Sequence, residues 1–319
     1  MEKTESNHLQ PLVFTAPLGL FGAGHVALRL HGLEGAPFDS LARGIFLIAG
    51  TVLAGLLLLY LFQALTRRAH VRADFSQTQM MNFSPSLAMA IILCGAALYP
   101  FEPAPGGMLI VGGTFLGLFF AVLVVRGWLT NAFKPQEIGP AWFFPVAGNL
   151  LAAQHLADLG LDLLALFVGG LGFFGWLMVL PIIFRRLILA TELTPMLLPS
   201  LFILIAPPGL AASAALAMLP AGAGALLAAM TLGFGLFLLT VLISLRGHFE
   251  KAPFSMSWWA YTFPTAALAS GALDLAMEMD TAGLIVLAEV LASLNLALTA
   301  GVGLVALFNL RKGKRPLPE

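Results

Sequence analysis

The chain has 319 residues, of which 59% are hydrophobic and 10% are charged, and its 16 basic and 16 acidic residues give a formal net charge of zero. Soluble domains carry about 25% charged residues, so this composition excludes an ordinary soluble domain. The balanced charge gives no reason to expect a nucleic-acid partner. We therefore predict an all-α membrane protein that is surrounded by lipid.

Apolar spans follow one another along the whole chain. Residues 193–245 contain no Asp, Glu, Lys or Arg, and this run is more than twice the ~20 residues that one spanning helix needs. Hydropathy and breaker residues predict a single transmembrane domain over residues 1–319. Its ten spans are expected at about 11–31, 38–65, 84–101, 105–127, 140–157, 161–184, 196–217, 220–245, 257–277 and 281–310.

The basic residues indicate the orientation of these spans. If the N-terminus is cytoplasmic, Arg29 and Arg43 are the two basic residues that fall on the far side. Cytoplasmic segments carry an excess of Lys and Arg in membrane proteins. Both termini are therefore predicted to be cytoplasmic. The residues assigned to that side are Lys3, Arg67, Arg68, Arg72, Arg126, Lys134, Arg185, Arg186, Arg246, Lys251, Arg311, Lys312, Lys314 and Arg315.

Proline recurs in the first half of the odd-numbered spans, in several cases close behind a Phe such as Phe14 or Phe144. A proline inside a helix removes one backbone N–H and kinks the helix, which a membrane tolerates where protein or a water-filled cavity surrounds the kink. This repeat predicts five helical hairpins in two layers, with interrupted helices around a central axis and smooth helices toward lipid. The prolines are Pro17, Pro85, Pro145, Pro199 (or Pro207 in the same span) and Pro264.

The odd-numbered spans contain few ionisable groups, and no ring of acids that would select cations is present. Broken helices would present positive N-terminal ends at mid-membrane and favour anions, whereas carbonyls freed by the kinks would disfavour them. His25 and His155 are candidates for an outer vestibule or for interfacial residues. Glu289 is a possible proton-carrying residue, although a structural hydrogen bond is the alternative. We find no catalytic, cofactor-binding or metal-binding pattern and predict that the protein is not an enzyme.

Four segments resemble the tellurite-resistance/C4-dicarboxylate transporter family, which includes bacterial TehA and the plant guard-cell slow anion channels. They are FTAPLGL at 14–20, WFFPVAGN at 142–149, LIAPP at 204–208 and, above all, WWAYTFP at 258–264. The resemblance implies ten helices around a quasi-fivefold pore, a homotrimer with one pore per subunit, and occlusion of each pore by Phe263. Several relatives have an aromatic residue where this chain has Leu150, so the constriction is expected to depend on Phe263 alone.

Two functions are compatible with these features. The first is an anion channel that passes small inorganic or carboxylate anions through a narrow, nearly uncharged pore, gated by Phe263. The alternative is a secondary transporter of C4-dicarboxylates such as malate, or of tellurite-type oxyanions, with possible proton coupling. In both cases we expect a multi-pass protein of a bacterial inner membrane.

Overall fold

A computed structural model describes residues 9–35, 37–67, 69, 81–190 and 193–312. These described residues contain ten helices of more than twelve residues. We number them α1 (Thr15–Glu34), α2 (Phe38–Thr66), α3 (Pro85–Leu98), α4 (Pro103–Thr130), α5 (Phe144–Asp158), α6 (Asp162–Leu189), α7 (Ala206–Met218), α8 (Ala221–Ser244), α9 (Thr262–Met279) and α10 (Ala282–Arg311). Each range expected to span the membrane overlaps one of them. Five of the basic residues used to predict the orientation, Lys3, Arg68, Arg72, Lys314 and Arg315, lie outside the described residues.

Four of the odd-numbered helices follow a 3₁₀ segment. These segments are Pro11–Phe14 before α1, Pro140–Phe143 before α5, Pro195–Ile205 before α7 and Met256–Tyr261 before α9. A turn at residues 82–84 precedes α3. Each odd-numbered span therefore begins with a 3₁₀ segment or a turn and continues as an α-helix.

The recurring prolines mark the beginnings of these α-helices. Pro85 is the first residue of α3, Pro145 and Pro207 are the second residues of α5 and α7, and Pro17 and Pro264 are the third residues of α1 and α9. Proline is accommodated there because the first N–H groups of a helix have no partner within it. The sequence predicted kinks within continuous helices. The structure instead has, close to these prolines, a change from a 3₁₀ segment or a turn to an α-helix. Pro199 differs, since it lies inside the 3₁₀ segment before α7.

Burial separates the ten helices into two layers. In the apolar segments that contain α1 and α7, 89% and 72% of residues are buried, against 11% to 39% in α2, α4, α6, α8 and α10. The outer helices expose large apolar side chains, among them Phe62, Phe119, Phe174, Phe237 and Phe308. Apolar side chains on this scale of exposure are typical of a surface in contact with lipid.

Seven segments of the described chain are long and apolar enough to cross a membrane; they contain α1, α2, α4, α6, α7, α8 and α10. The remaining three long helices among the described residues are α3, α5 and α9. They are shorter or carry more polar residues, and they are largely buried by the other helices. A lipid-facing helix must be continuously apolar, whereas a helix enclosed by protein need not be. The chain is therefore a multi-pass integral membrane protein.

The odd-numbered helices form a closed ring. Helix α1 packs against α3, α3 against α5, α5 against α7, α7 against α9, and α9 returns to α1. Each even-numbered helix packs against the odd-numbered helix that precedes it. The ring is thus enclosed by the outer layer.

Glycine allows α9 to approach both of its neighbours in the ring. A Cβ atom at Gly209 of α7 would lie 2.5 Å from the backbone of Ala267, and one at Gly22 of α1 would lie 2.8 Å from the Cβ atom of Ala266. Small residues at helix interfaces let backbones come this close. On α6, Gly172 serves the same purpose against α5, whereas a Cβ atom at Gly170 would have no described atom within 4 Å.

Candidate functional site

Two cavities lie along the ring. The larger, which we call the N-terminal cavity, has a volume of about 310 Å³ and is bordered by the segments that lead into all five ring helices. Its lining includes Leu12, Asn82, Trp142, Leu197 and Ser257. The smaller, which we call the core chamber, has a volume of about 20 Å³ and is lined by all five ring helices themselves. The two cavities are therefore successive spaces enclosed by the same ring.

Phe263 lies at the boundary between these cavities. In the segment that forms α9 and its 3₁₀ entry, Ala260 lines the N-terminal cavity and Phe263 lines the core chamber. These residues are three apart, so the separation along the helix is about 5 Å. The Phe263 side chain is 5% exposed, and its ring lies 3.4 Å from the position that a Cβ atom would take at Gly22. An aromatic ring held against a glycine therefore lies between the two cavities.

An ion pair connects three ring helices beside the chamber. The Nε atom of Arg29 on α1 donates a hydrogen bond of 2.6 Å to Oδ1 of Asp274 on α9, and the hydroxyl of Ser213 on α7 donates one of 2.5 Å to Oδ2. Arg29 and Ser213 line the core chamber, whereas Asp274 lies behind them. The chamber is therefore bordered by a cation whose counter-charge is outside its lining.

Two histidines also border the chamber, on opposite helices. The rings of His25 and His155 are 5.9 Å apart, and each residue is 5% exposed. His25 Nε2 lies 3.0 Å from the carbonyl oxygen of Leu93, and His155 Nδ1 lies 3.1 Å from a carboxylate oxygen of Asp158. Both partners accept hydrogen bonds, so these two nitrogens carry the protons. The histidines are therefore enclosed by the ring helices.

The N-terminal cavity has the opposite construction, because none of the described residues that line it has a basic side chain. The α-helices of the ring begin beside it, with the positive ends of their dipoles toward it. One acid, Glu137, is part of this described lining. The Glu137 carboxylate accepts a hydrogen bond of 2.9 Å from the backbone N–H of Lys134, which holds it in its own loop.

The remaining predicted pore residues are near the ring but do not line either cavity. Phe14 packs edge-on against Tyr60 of α2, with ring centroids 5.6 Å apart. Leu150 packs against Gly172 of α6, and Phe144 lies beside Phe83, with centroids 5.5 Å apart. The prolines Pro17, Pro85, Pro145, Pro199, Pro207 and Pro264 are buried at or before the helix starts.

Two polar residues of α10 have different surroundings. Asn295 is fully buried and donates hydrogen bonds of 2.9 Å to the carbonyl of Thr262 and to the hydroxyl of Thr265, both on α9. Asn295 is therefore an interhelical hydrogen-bonding residue. Glu289 lies on the outer layer with its carboxyl beside that of Glu34, and it borders neither cavity.

Apart from His25 and His155, sequence reasoning did not identify the polar lining of the chamber. The pairing of Arg29 with Asp274 joins positions 245 residues apart, which no local pattern predicts. Gln154, Ser213 and Ser270 carried no signal that separates them from ordinary polar residues of a helix. Within the described part of the chain, no three His, Cys, Asp or Glu side chains come close enough to hold a metal ion.

Comparison with known proteins identifies the family of this chain and several relatives. The profile of the voltage-dependent anion channel family (SLAC1) matches residues 8–307. The tellurite resistance protein TehA homolog of Haemophilus influenzae is 26% identical over 309 residues, which cover 94% of this chain and 93% of that protein. The guard cell S-type anion channel SLAC1 of Arabidopsis thaliana is 31% identical over 163 residues, 49% of this chain and 29% of that protein. The S-type anion channel SLAH1 of the same plant is 29% identical over 48% of this chain and 40% of its own length.

Proposed function

Because the chain belongs to the voltage-dependent anion channel family, we propose that it is a passive channel for small anions whose gate is Phe263. The observation that carries this proposal is the position of Phe263 between two cavities enclosed by one ring of helices. A constriction closed by apolar side chains excludes water and ions until it widens and wets. In the closed state the anion path is interrupted at Phe263, and displacement of its ring joins the cavities.

The charges along this path support anions as the permeant species. The N-terminal cavity receives the positive ends of the ring helices, and the core chamber is bordered by Arg29. Glu137 is the acidic residue that lines the described cavities, and it is engaged by its own loop. Chloride, nitrate and small carboxylates are the candidate anions.

The membrane topology that we propose has ten crossings in one transmembrane domain, arranged as five hairpins around the ring, with both termini in the cytoplasm. Helices α5 and α9 become long enough to cross when their 3₁₀ segments are included, at residues 140–158 and 256–279. The N-terminal cavity is then the cytoplasmic mouth of the channel. On the resemblance described above, we also propose a homotrimer in a bacterial inner membrane.

Reversal potentials of purified protein in planar bilayers under a chloride gradient test the function. We expect Phe263→Ala to carry a large current that reverses near the chloride equilibrium potential, because the ring that separates the cavities is removed. Phe14→Ala is the matched control, since it removes a buried Phe that packs against Tyr60, away from both cavities. Absence of current in a correctly folded Phe263→Ala protein would contradict the gate.

The transporter alternative predicts a different result in liposomes. A coupled transporter would accumulate malate when the unmodified protein is given a pH gradient, and Phe263→Ala would carry no current. This pair of results would show that the protein is a transporter and not a channel. In that case Phe263 would be part of a moving element and not a plug in a fixed pore.

A further inference from the structure

The core chamber contains hydrogen-bond donors that the protein itself does not use. Gln154 of α5 lines the chamber and is 7% exposed. Its side-chain amide makes no hydrogen bond to any of the described residues. Ser270 of α9, which lines the chamber on the other side, also donates to none of them. Buried amides and hydroxyls are normally paired, so an unpaired buried amide that faces a cavity indicates a ligand.

The other polar groups of the chamber are already engaged. The Ser213 hydroxyl donates its hydrogen bond to the carboxylate of Asp274. His25 and His155 each direct one ring nitrogen to Leu93 and Asp158, so those two nitrogens are not available to a ligand. We therefore take Gln154, Ser270 and the guanidinium of Arg29 as the groups that attract a ligand.

Arg29 decides which sign of charge the chamber favours. The Gln154 amide and the Ser270 hydroxyl can each donate or accept a hydrogen bond, whereas Arg29 supplies a positive charge whose counter-ion, Asp274, is outside the lining. Hydrogen bonds to an ionised acceptor are stronger than those to a neutral one. The unused capacity of the chamber thus favours an anion over a cation.

The volume of the chamber limits the size of that anion. About 20 Å³ is little more than the 10–15 Å³ or so that a single water molecule requires. A four-carbon dicarboxylate does not fit, and an ion that enters must leave most of its hydration shell behind. A small monovalent ion matches both the volume of the chamber and the single charge of Arg29 in its described lining.

We infer that the core chamber is a binding site for one small, largely dehydrated monovalent anion of chloride size, held by Gln154, Ser270 and Arg29. The inference rests on the proposed channel for its role in permeation, since the bound anion would wait directly beyond Phe263. The site then discriminates against dicarboxylates, and it does so by size and by the number of donors.

Chloride-dependent thermal unfolding of the purified, full-length protein tests the site without any current. Chloride replaces gluconate at constant ionic strength, and a ligand that binds only the folded state raises the unfolding temperature with its concentration. We expect Gln154→Leu to raise the half-saturating chloride concentration at least tenfold, which corresponds to about 1.4 kcal/mol. Ser270→Ala should raise it about threefold, and it provides a second reading if Gln154→Leu folds poorly.

Asn309→Leu is the control, because Asn309 lies on the outer helix α10 and bonds to the carbonyl of Val305 in its own helix. It should leave the half-saturating concentration unchanged within twofold. The inference is overturned if Gln154→Leu and Ser270→Ala behave like this control, or if chloride does not stabilise the unmodified protein.

Conductance in the Phe263→Ala background separates failure of the site from failure of the channel. If current flows and its dependence on chloride concentration is unaffected by Gln154→Leu, the site is wrong and the channel stands. If no current flows but stabilisation by chloride is lost in Gln154→Leu, the site stands and the channel is wrong.

Discussion

Asp274 is the residue whose replacement we expect to weaken the ring most specifically. Its carboxylate accepts hydrogen bonds from Arg29 of α1 and Ser213 of α7, the two ring helices that flank α9. The Arg29 and Asp274 side chains are 16% and 17% exposed. Removing the carboxylate therefore leaves a mostly buried guanidinium without this partner and disconnects α9 from both neighbours.

The two contacts set the size of the effect. Breaking a buried ion pair by removing one partner costs about 3–5 kcal/mol, and the partial exposure of both groups places Asp274→Ala at the lower end, about 3 kcal/mol. Ser213→Ala removes one hydrogen bond to a charged group and should cost about 1.5 kcal/mol. In a chain of this length each kcal/mol lowers the unfolding temperature by about 2 °C, so we expect decreases of about 6 °C and 3 °C.

The single cysteine of the chain provides the assay. Cys94 lies half-buried on α3, and a thiol-reactive dye reports its exposure on unfolding. Replacing both charges, in Arg29→Met with Asp274→Leu, should recover part of the lost stability because no unpaired charge remains. Equal unfolding temperatures for Asp274→Ala and Ser213→Ala would refute the contribution of Arg29.

Two further predictions concern the packing of α9 and the role of α10. Gly209→Ala should destabilise the protein by about 3 kcal/mol, because the new Cβ atom would lie 2.5 Å from the backbone of Ala267. Gly170→Ala is the matched control, because its new Cβ atom would have no described atom within 4 Å. In thermal unfolding it should leave the stability unchanged or raise it by up to about 1 kcal/mol. Glu289→Gln should leave chloride conductance and its pH dependence unchanged, since Glu289 borders neither cavity; loss of a pH-driven flux in this variant would instead favour the coupled transporter.

The positions of the helices could be predicted from the sequence because apolar length and chain breaks are local properties. The range expected at 196–217, for example, corresponds to a 3₁₀ segment and helix over residues 195–218. The choice between Pro199 and Pro207 in that range could not be made from sequence. It depends on where the 3₁₀ segment changes to α-helix, and the structure puts that change at Ala206.

The polar lining of the chamber was less predictable, because it depends on packing between distant segments. Phe14 and Phe263 precede prolines in similar sequences, yet Phe14 contacts Tyr60 of α2 while Phe263 borders the chamber. The direction of each ring follows from the rotation of its helix, which a local pattern does not determine. Gln154 could not be singled out from the sequence either, because its importance comes from the lack of a hydrogen-bond partner among the described residues.

The packing of α9 also favours one kind of gate movement over another. Glycines allow α9 to fit closely against α7 and α1, and the Arg29–Asp274 pair joins α9 to α1 farther along. Sliding α9 would disrupt all of these contacts, whereas rotating the Phe263 side chain removes the contact of its ring with Gly22 and leaves the others in place. The core chamber, at about 20 Å³, cannot receive a phenyl ring, but the N-terminal cavity has about 310 Å³. Side chains of a helix also lean toward its N-terminus, so we expect Phe263 to open by swinging into the N-terminal cavity, and a molecule that fills this cavity should hold the gate closed.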